Sequence, residues 1–406
     1  AQNPSPDGCS GQQEINYTLQ VFAPPVADFM TSTVCFPNPI QFTDISNTNG
    51  RAVIHRYWDF GDASNSTSNN PSHTYTTAGS YNVKYTLITD VGCLSDTTMH
   101  PVILYPLPTG NISGTTTVCK DAPPPSITFT GANGTAPYIF TYTINGGPLQ
   151  TVTSTGNTAT VSVPTNTTGT FTYTLVSVQD GSPAACSQNQ GGTATIIVNP
   201  LPTATISGTI EVCKDAPSPT ISFTGAGSTA PYIFSYTING GPVLTVTSVG
   251  NTATVTVPTN IAGTFVYSLV SVQDGSSTTC SQAQSGSATV TINPLPLAAI
   301  SGNTAVCRNT TPPLVTFTGS GATAPYTFTY SINGGAPLTV TSTGNIATIA
   351  VPTGTAGTFV YTLISVQDAS PTTCSQLQSG TVTVTVHPLP APAYTSSTPQ
   401  IGRAHV

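Results

Sequence analysis

The sequence predicts an all-β chain built as a tandem array of β-sandwich modules, and three observations lead there: a composition almost free of charge, a period of 94 residues, and Asn-Gly pairs set between alternating runs. Charged residues make up 5% of the 406, against roughly 25% in an ordinary soluble protein. Thr, Ser, Asn, Gly and Pro fill the space they leave. Thr and Val favour strands, and Gly and Pro favour turns.

The period is plain in "VCKDAPPPSITFTG" at 118 to 131, which returns as "VCKDAPSPTISFTG" at 212 to 225 and as "VCRNTTPPLVTFTG" at 306 to 319. Cys119, Cys213 and Cys307 stand 94 apart, as do Cys186, Cys280 and Cys374. A unit of this length is too long for a solenoid repeat and suits a self-contained sandwich of roughly 100 residues. Three modules follow, at 109-202, 203-296 and 297-390. "NPLP" at 199 to 202 and 293 to 296, with "YPLP" at 105 to 108 and "HPLP" at 387 to 390, closes each one. Pro fixes its own φ and holds the residue before it extended, so this phrase is read as a stiff joint.

Within the first repeat, alternation bounded by turn residues predicts strands near 111-118 and at 126-130, 138-144, 149-154, 158-163, 170-179 and 193-198. "INGG" at 144 to 147, and again at 238 to 241 and 332 to 335, marks a hairpin, because both central positions tolerate φ > 0. Tyr138, Phe140 and Tyr142 share one strand face, repeated by Tyr232, Phe234 and Tyr236 and by Tyr326, Phe328 and Tyr330. Exposed, such a row could stack on sugar rings; buried, it fills the sandwich. The opposite face of the third repeat is Thr327, Thr329 and Ser331, which favours burial of the aromatics.

Two cysteines per module predict one internal disulfide each: Cys119 with Cys186, Cys213 with Cys280 and Cys307 with Cys374. A loop of that length stabilises by roughly 4 kcal/mol on the chain-entropy argument, and regular pairing points to an oxidising compartment outside the cytoplasm. Buried free thiols are the alternative, and metal ligation lacks a suitable Cys or His spacing. Cys35 and Cys93 flank a further module and are expected to pair. Cys9 is left unpaired, in what reads as the tail of a truncated module at 1-25 whose other cysteine lay upstream. After a module start at 391-400, the hexapeptide "IGRAHV" at 401-406 matches one reading frame of a common sequencing adapter. It is expected not to be biological, and the chain to be a fragment.

Residues 26-105 carry a sharper resemblance. "YWDFGD" at 57 to 62, with "NPSHTYTTAGSYNV" at 70 to 83, resembles the PKD domain, an immunoglobulin-like β-sandwich, and 26-108 is assigned to it. Ala63 departs from the Gly usual at that turn. The three longer repeats resemble the PKD-like and immunoglobulin-like modules of large surface proteins of gliding Bacteroidota, exported by the type IX system. The resemblance implies a tandem array of immunoglobulin-like (PKD-like) β-sandwich modules, secreted or on the cell surface.

Asp59 and Asp62 are candidates for a structural Ca2+, since hard cations take several oxygen ligands, or for capping of local backbone N-H groups. No other metal and no cofactor is expected. Asp121 with Asp180, and Asp215 with Asp274, could form further cation sites, but the third repeat offers Asn309 beside its Asp368. Trp58 is expected in the core. Asp96-Thr97-Thr98 resembles the Bacteroidota O-glycosylation acceptor.

Seven Lys plus Arg against fourteen Asp plus Glu, without a basic cluster, leaves nothing to neutralise a nucleic acid. No run of apolar residues is long enough for a membrane helix. His55, His73, His100 and His387 are scattered and no catalytic motif stands out, so the chain is not expected to be an enzyme. The favoured reading is an adhesin-like stalk, reaching and presenting, with surface glycans or other surface proteins as partners. The alternative is a carbohydrate- or protein-binding accessory of a secreted multidomain hydrolase.

Overall fold

A computed structural model of the chain describes residues 14-392. Among them there are strands and turns but no helix, and the fold is a series of immunoglobulin-like sandwiches. The chain divides into two compact units between Asn199 and Pro200, at the Asn-Pro-Leu-Pro phrase.

The first unit opens with β1 (Phe29–Thr31), β2 (Ile40–Asp44), β3 (Val53–Asp59), β4 (Asn65–Ser66), β5 (Ser72–His73), β6 (Gly79–Thr89) and β7 (Thr98–Leu104). They form a three-stranded sheet, β1-β2-β5, and a four-stranded one, β4-β3-β6-β7. Trp58 is fully buried between them. Its ring stacks on Tyr85 at 3.8 Å and lies 5.7 Å from Phe42 of the facing sheet. Its Nε1 donates to the Ser68 carbonyl at 3.0 Å, so the one polar atom of the indole is satisfied inside the core.

The second sandwich is β8 (Thr109–Ser113), β9 (Thr116–Cys119), β10 (Ser126–Ala132), β11 (Ile139–Ile144), β12 (Gln150–Thr153), β13 (Thr158–Ser162), β14 (Gly169–Gln179), β15 (Ser187–Asn189) and β16 (Thr193–Asn199). One sheet runs β13-β10-β8; the other runs β12-β11-β14-β16-β9, with β15 also on β14. Phe129 of the first meets Phe140 of the second at 5.5 Å. In the second unit, strands covering 203-293 and 297-387 repeat both sheets in the same order.

The expected strands at 126-130, 138-144, 149-154, 158-163, 170-179 and 193-198 are present within a residue or two, and the Asn-Gly hairpin has its reason in the backbone. Asn145 at φ 51° and Gly146 at φ 70° both take the left-handed region, and Gly147 N donates to the Ile144 carbonyl at 2.9 Å. The structure departs from expectation at two places. β15 is too short and polar to show as a run. The stretch near 111-118 is two strands, since the chain changes sheet at Gly114: β8 pairs β10, and β9 joins β16 in parallel register. Gly114 sits at φ +114°, and a Cβ there would lie 2.5 Å from the Ser126 carbonyl oxygen.

β14 gives each sandwich its poles. Its start, Gly169, lies opposite Val198 near the end of β16, and its last residue, Gln179, lies opposite Ser187. Eleven residues of strand separate these ends by roughly 35 Å. β9 and β16 both run to the exit pole, where Cys119 lies opposite Asn199. Asp180 and Cys186 lie beyond the other end of β14, at the entry pole.

Gly114→Ala is expected to cost about 2 kcal/mol or more, because it combines a left-handed φ with a clash against backbone. Hydrogen exchange of the 109-119 peptides should show protection lost there while the 203-213 peptides are unchanged.

Candidate functional site

The chemistry of the chain collects at the poles. At the exit pole the backbone turns directly after the cysteine: Ala122 N donates to the Cys119 carbonyl at 3.2 Å and Lys120 N to the Asn199 carbonyl at 2.8 Å. Asp121, at φ 61°, donates its N-H to the Thr165 carbonyl at 3.0 Å. The same turn follows Cys213 and Cys307, with Asp215 at φ 63° and Asn309 at φ 62°. Asp and Asn are the non-glycine residues that tolerate this conformation best. That accounts for the exchange of Asp for Asn in the third repeat without a cation. Cys35 has a matching frame, since Phe36 N donates to the Tyr105 carbonyl at 2.8 Å and Asn38 N to the Cys35 carbonyl at 2.9 Å.

At the entry pole a buried aspartate organises the loop. Asp180 Oδ1 accepts from Ser182 Oγ at 2.7 Å and from Cys186 N at 2.9 Å, while Oδ2 accepts from Thr135 N at 3.1 Å. The Asp180 N-H in turn donates to the Cys186 carbonyl at 2.9 Å, as Asp274 does to Cys280 and Asp368 to Cys374. In the first sandwich Thr89 N donates to the Cys93 carbonyl at 3.0 Å, which puts Cys93 in the same place. The residue before each repeat's loop cysteine, Ala185, Thr279 or Thr373, is held at φ 48°. For β-branched Thr this is strained backbone, the kind that gathers where a side chain must be aimed.

These poles overturn the expected disulfides. Cys35 bonds Cys186, with Cα atoms 5.6 Å apart, and Cys213 bonds Cys374, also at 5.6 Å. The pairings Cys35 with Cys93, Cys119 with Cys186, Cys213 with Cys280 and Cys307 with Cys374 are therefore corrected. In each, the two residues occupy opposite ends of one sandwich, roughly 35 Å of strand apart, whereas a disulfide needs Cα atoms within about 7 Å. Each bond instead joins the exit pole of one sandwich to the entry pole of the next within the same unit. Cys119 and Cys280 are also disulfide-bonded. Cys93, half-buried, and Cys307, exposed, are free. Cys9 lies outside the described residues.

In the second unit the clasp has a polar neighbour. Thr372 Oγ1 accepts from Asn293 Nδ2 at 2.9 Å across the two sandwiches and lies 3.2 Å from Cys374 Sγ. The same geometry separates Asp121 from Asp180 and Asp215 from Asp274, so neither pair forms a cation site.

Asp59 and Asp62 cap a turn. Asp59 Oδ1 accepts from Gly61 N at 3.0 Å, and Asp62 Oδ1 accepts from Ser64 N at 3.1 Å. Asp62 Oδ2 lies 2.8 Å from His73 Nε2. Among the described residues no three His, Cys, Asp or Glu side chains gather as metal ligands. The aromatic rows are core: Tyr138, Phe140 and Tyr142 and their counterparts in both later repeats are buried. Tyr138 packs its ring where a Cβ on Gly131 would stand and donates its hydroxyl to the Gly134 carbonyl at 2.8 Å. Shallow apolar grooves lie beside Phe171 and Pro164 and beside Phe265 and Pro258. Asp96 and Thr97 are exposed.

The first sandwich, with its Trp58 core and Asp59 turn, matches the PKD domain family model over residues 22-102. Residues 22-102 are a PKD domain. Similar solved structures include the PKD1 domain of Vibrio anguillarum Epp, 29% identical, covering 20% of this chain and 94% of that one at a TM-score of 0.19. The PKD1 domain of the Vibrio cholerae metalloprotease PrtV is also 29% identical, covering 20% and 98% at 0.19. Titin domains I67-I69 are 13% identical, covering 70% and 99% at 0.44. No curated protein matches the chain.

Three PKD-domain carboxylates carry depressed pKa values. At Asp44 burial pushes the value up, but hydrogen bonds from Ser46 and the Arg56 guanidinium outweigh it and hold the group below its ordinary range. At Asp62 burial is likewise outweighed, by Ser64 and His73. The His100 hydrogen bond, then the Phe29 N-H, lowers Asp28. A carboxyl depressed on folding contributes stability above its unfolded value, near 3.9, and loses it as pH falls through the folded value. The PKD domain should therefore hold level stability from pH 7 to about pH 5 and lose it progressively below about pH 4. Asp44→Asn should flatten part of that fall in thermal melts followed by Trp58 fluorescence.

In the fourth sandwich Asp368 Oδ2 is buried and accepts no hydrogen bond. Its counterpart Asp274 Oδ2 receives the Ser228 hydroxyl, and Ala322 stands where Ser228 does. Ala322→Ser is expected to stabilise this sandwich by about 1 kcal/mol, since an unsatisfied buried acceptor costs about 1–3 kcal/mol. Denaturant midpoints with and without the substitution check it.

Proposed function

We propose that the chain is a non-catalytic stretch of a large extracellular or cell-surface protein, an adhesin-like stalk whose sandwiches give reach and present other parts to surface glycans or proteins. The observation that carries this reading is the bonding of Cys35 to Cys186 and of Cys213 to Cys374, each from one sandwich to the next. A disulfide inside a sandwich protects that sandwich alone. One between neighbours fastens the joint and keeps load off everything between its ends. Such bonds persist in oxidising surroundings, in line with export; the type IX route of Bacteroidota is the export we assign, on the resemblance of the repeats.

The accessory reading, in which the modules grip polysaccharide for an attached hydrolase, relied on an exposed aromatic row. The rows are buried, which counts against it.

Single-molecule stretching distinguishes a clasped stalk from freely jointed beads. The bonds close loops with sequence separations of 151 and 161 residues. At about 3.6 Å per residue each hides roughly 550 Å of contour length. Under oxidising conditions that length should be absent from the force-extension trace, and dithiothreitol should release it. A trace of equal length with and without reductant would overturn the stalk reading.

A further inference from the structure

Each clasp leaves a short stretch of chain outside its loop, and the strand register fixes how that stretch runs. In the second unit the chain enters the third sandwich at Thr203, opposite Ala226 and so near the entry-pole residues Ser228 and Asp274. The strands Thr203–Ser207 and Ile210–Cys213 carry it to the exit pole, where Cys213 lies opposite Asn293. The disulfide passes to Cys374, at the entry pole of the fourth sandwich. From Ser375, opposite Gln367, to Val386, opposite Gly357, the chain then follows the whole length of the central strand Gly357–Gln367. Gln378 N donates to the Ile364 carbonyl at 2.9 Å and keeps it there between its two strands.

The first unit repeats this route. Val26 bridges Asn47 at the entry pole of the PKD domain, and Cys35 lies opposite Tyr105 at its exit pole. The disulfide leads to Cys186, and Ser187 to Val198 follow β14 from Gln179 to Gly169. Neither route turns back between its poles.

We propose that tension is carried by these routes alone, 26-35 with 186-198 and 203-213 with 374-386, as a nearly inextensible tape, while the bodies of the sandwiches, 36-185 and 214-373, ride on it unloaded. The inference rests on the clasped-stalk reading and deepens it by naming the residues that bear the load. A strand already spans about 3.3 Å per residue, and a fully drawn chain about 3.6 Å. The eleven residues from Thr203 to Cys213 can therefore lengthen by only about 3 Å. Without the clasp, load would enter and leave the third sandwich by its own two chain ends, and Phe223, Phe234 and Val272, all fully buried, would set its breaking force. With the clasp they set only the stability of a body that bears no load. Reduction of the disulfide returns the load to the core.

The test stretches the full chain by its two ends, as the wild type and as Phe234→Leu, with Ile221→Val as a milder truncation of the same buried core. Denaturant midpoints should fall for both variants, and after dithiothreitol their third sandwich should unfold at lower force than the wild type's. Under oxidising conditions all three traces should coincide and show no step longer than about 20 Å, since each crossing is already drawn out. Loop length released without reductant would sink the clasped-stalk reading itself. Loops that stay closed while longer steps appear, or while either variant lowers the oxidised forces, would overturn this inference and leave the clasped stalk standing.

Discussion

The direction of one strand governs the molecule. β14 and its counterparts each run eleven residues through the centre of the larger sheet. Whatever stands at one end of that strand is out of reach of whatever stands at the other. Because β9 returns beside β16 in parallel register, the first cysteine of a repeat is carried to the pole where the chain leaves. Because the second follows the far end of β14, it is carried to the pole where the chain enters. Neither can satisfy the other, so each must look to a neighbour. The clasp between sandwiches follows from strand topology before any side-chain preference is considered.

Energetics point the same way. With 5% charged residues the chain has little to gain from ion pairs, and those that form within a sandwich are mostly in the PKD domain, where Arg56 meets Asp44 and Lys84 meets Asp59. The repeats instead rely on inner faces such as Ile127, Phe129, Phe140 and Val178, all fully buried. Each sandwich buries a separate core, so nothing in the cores couples one to the next. A disulfide closing a loop of 151 residues supplies that coupling, at about 5 kcal/mol on the chain-entropy argument.

Much of the fold was legible because its signals are local. Alternation marks a strand wherever one face is buried, and Asn145-Gly146 marks its turn because both residues accept positive φ. The disulfide partners were not legible, for an arithmetical reason. Pairing inside a repeat gives a separation of 67, and pairing with the next gives 161, which is 67 plus one period of 94. Both schemes repeat every 94 residues, so spacing alone does not choose between them. The choice lies in the parallel placement of β9, which depends on a sheet change at Gly114 and leaves no periodic trace. Asp121 is ambiguous in sequence for a similar reason: an aspartate selected for its backbone conformation looks the same as one selected for its charge.

A last contrast bears on function. Along the flanks of the repeats, the strands turn Thr and Ser outward and aromatics inward. At the poles stand the strained Thr279 and Thr373, the buried Asp180, Asp274 and Asp368, and every bonded cysteine. Buried carboxylates and left-handed Thr residues cost stability wherever they occur. A bead that acted through its flank would have no use for them. They are intelligible where a loop must hold one sulfur at a fixed point against the end of another bead.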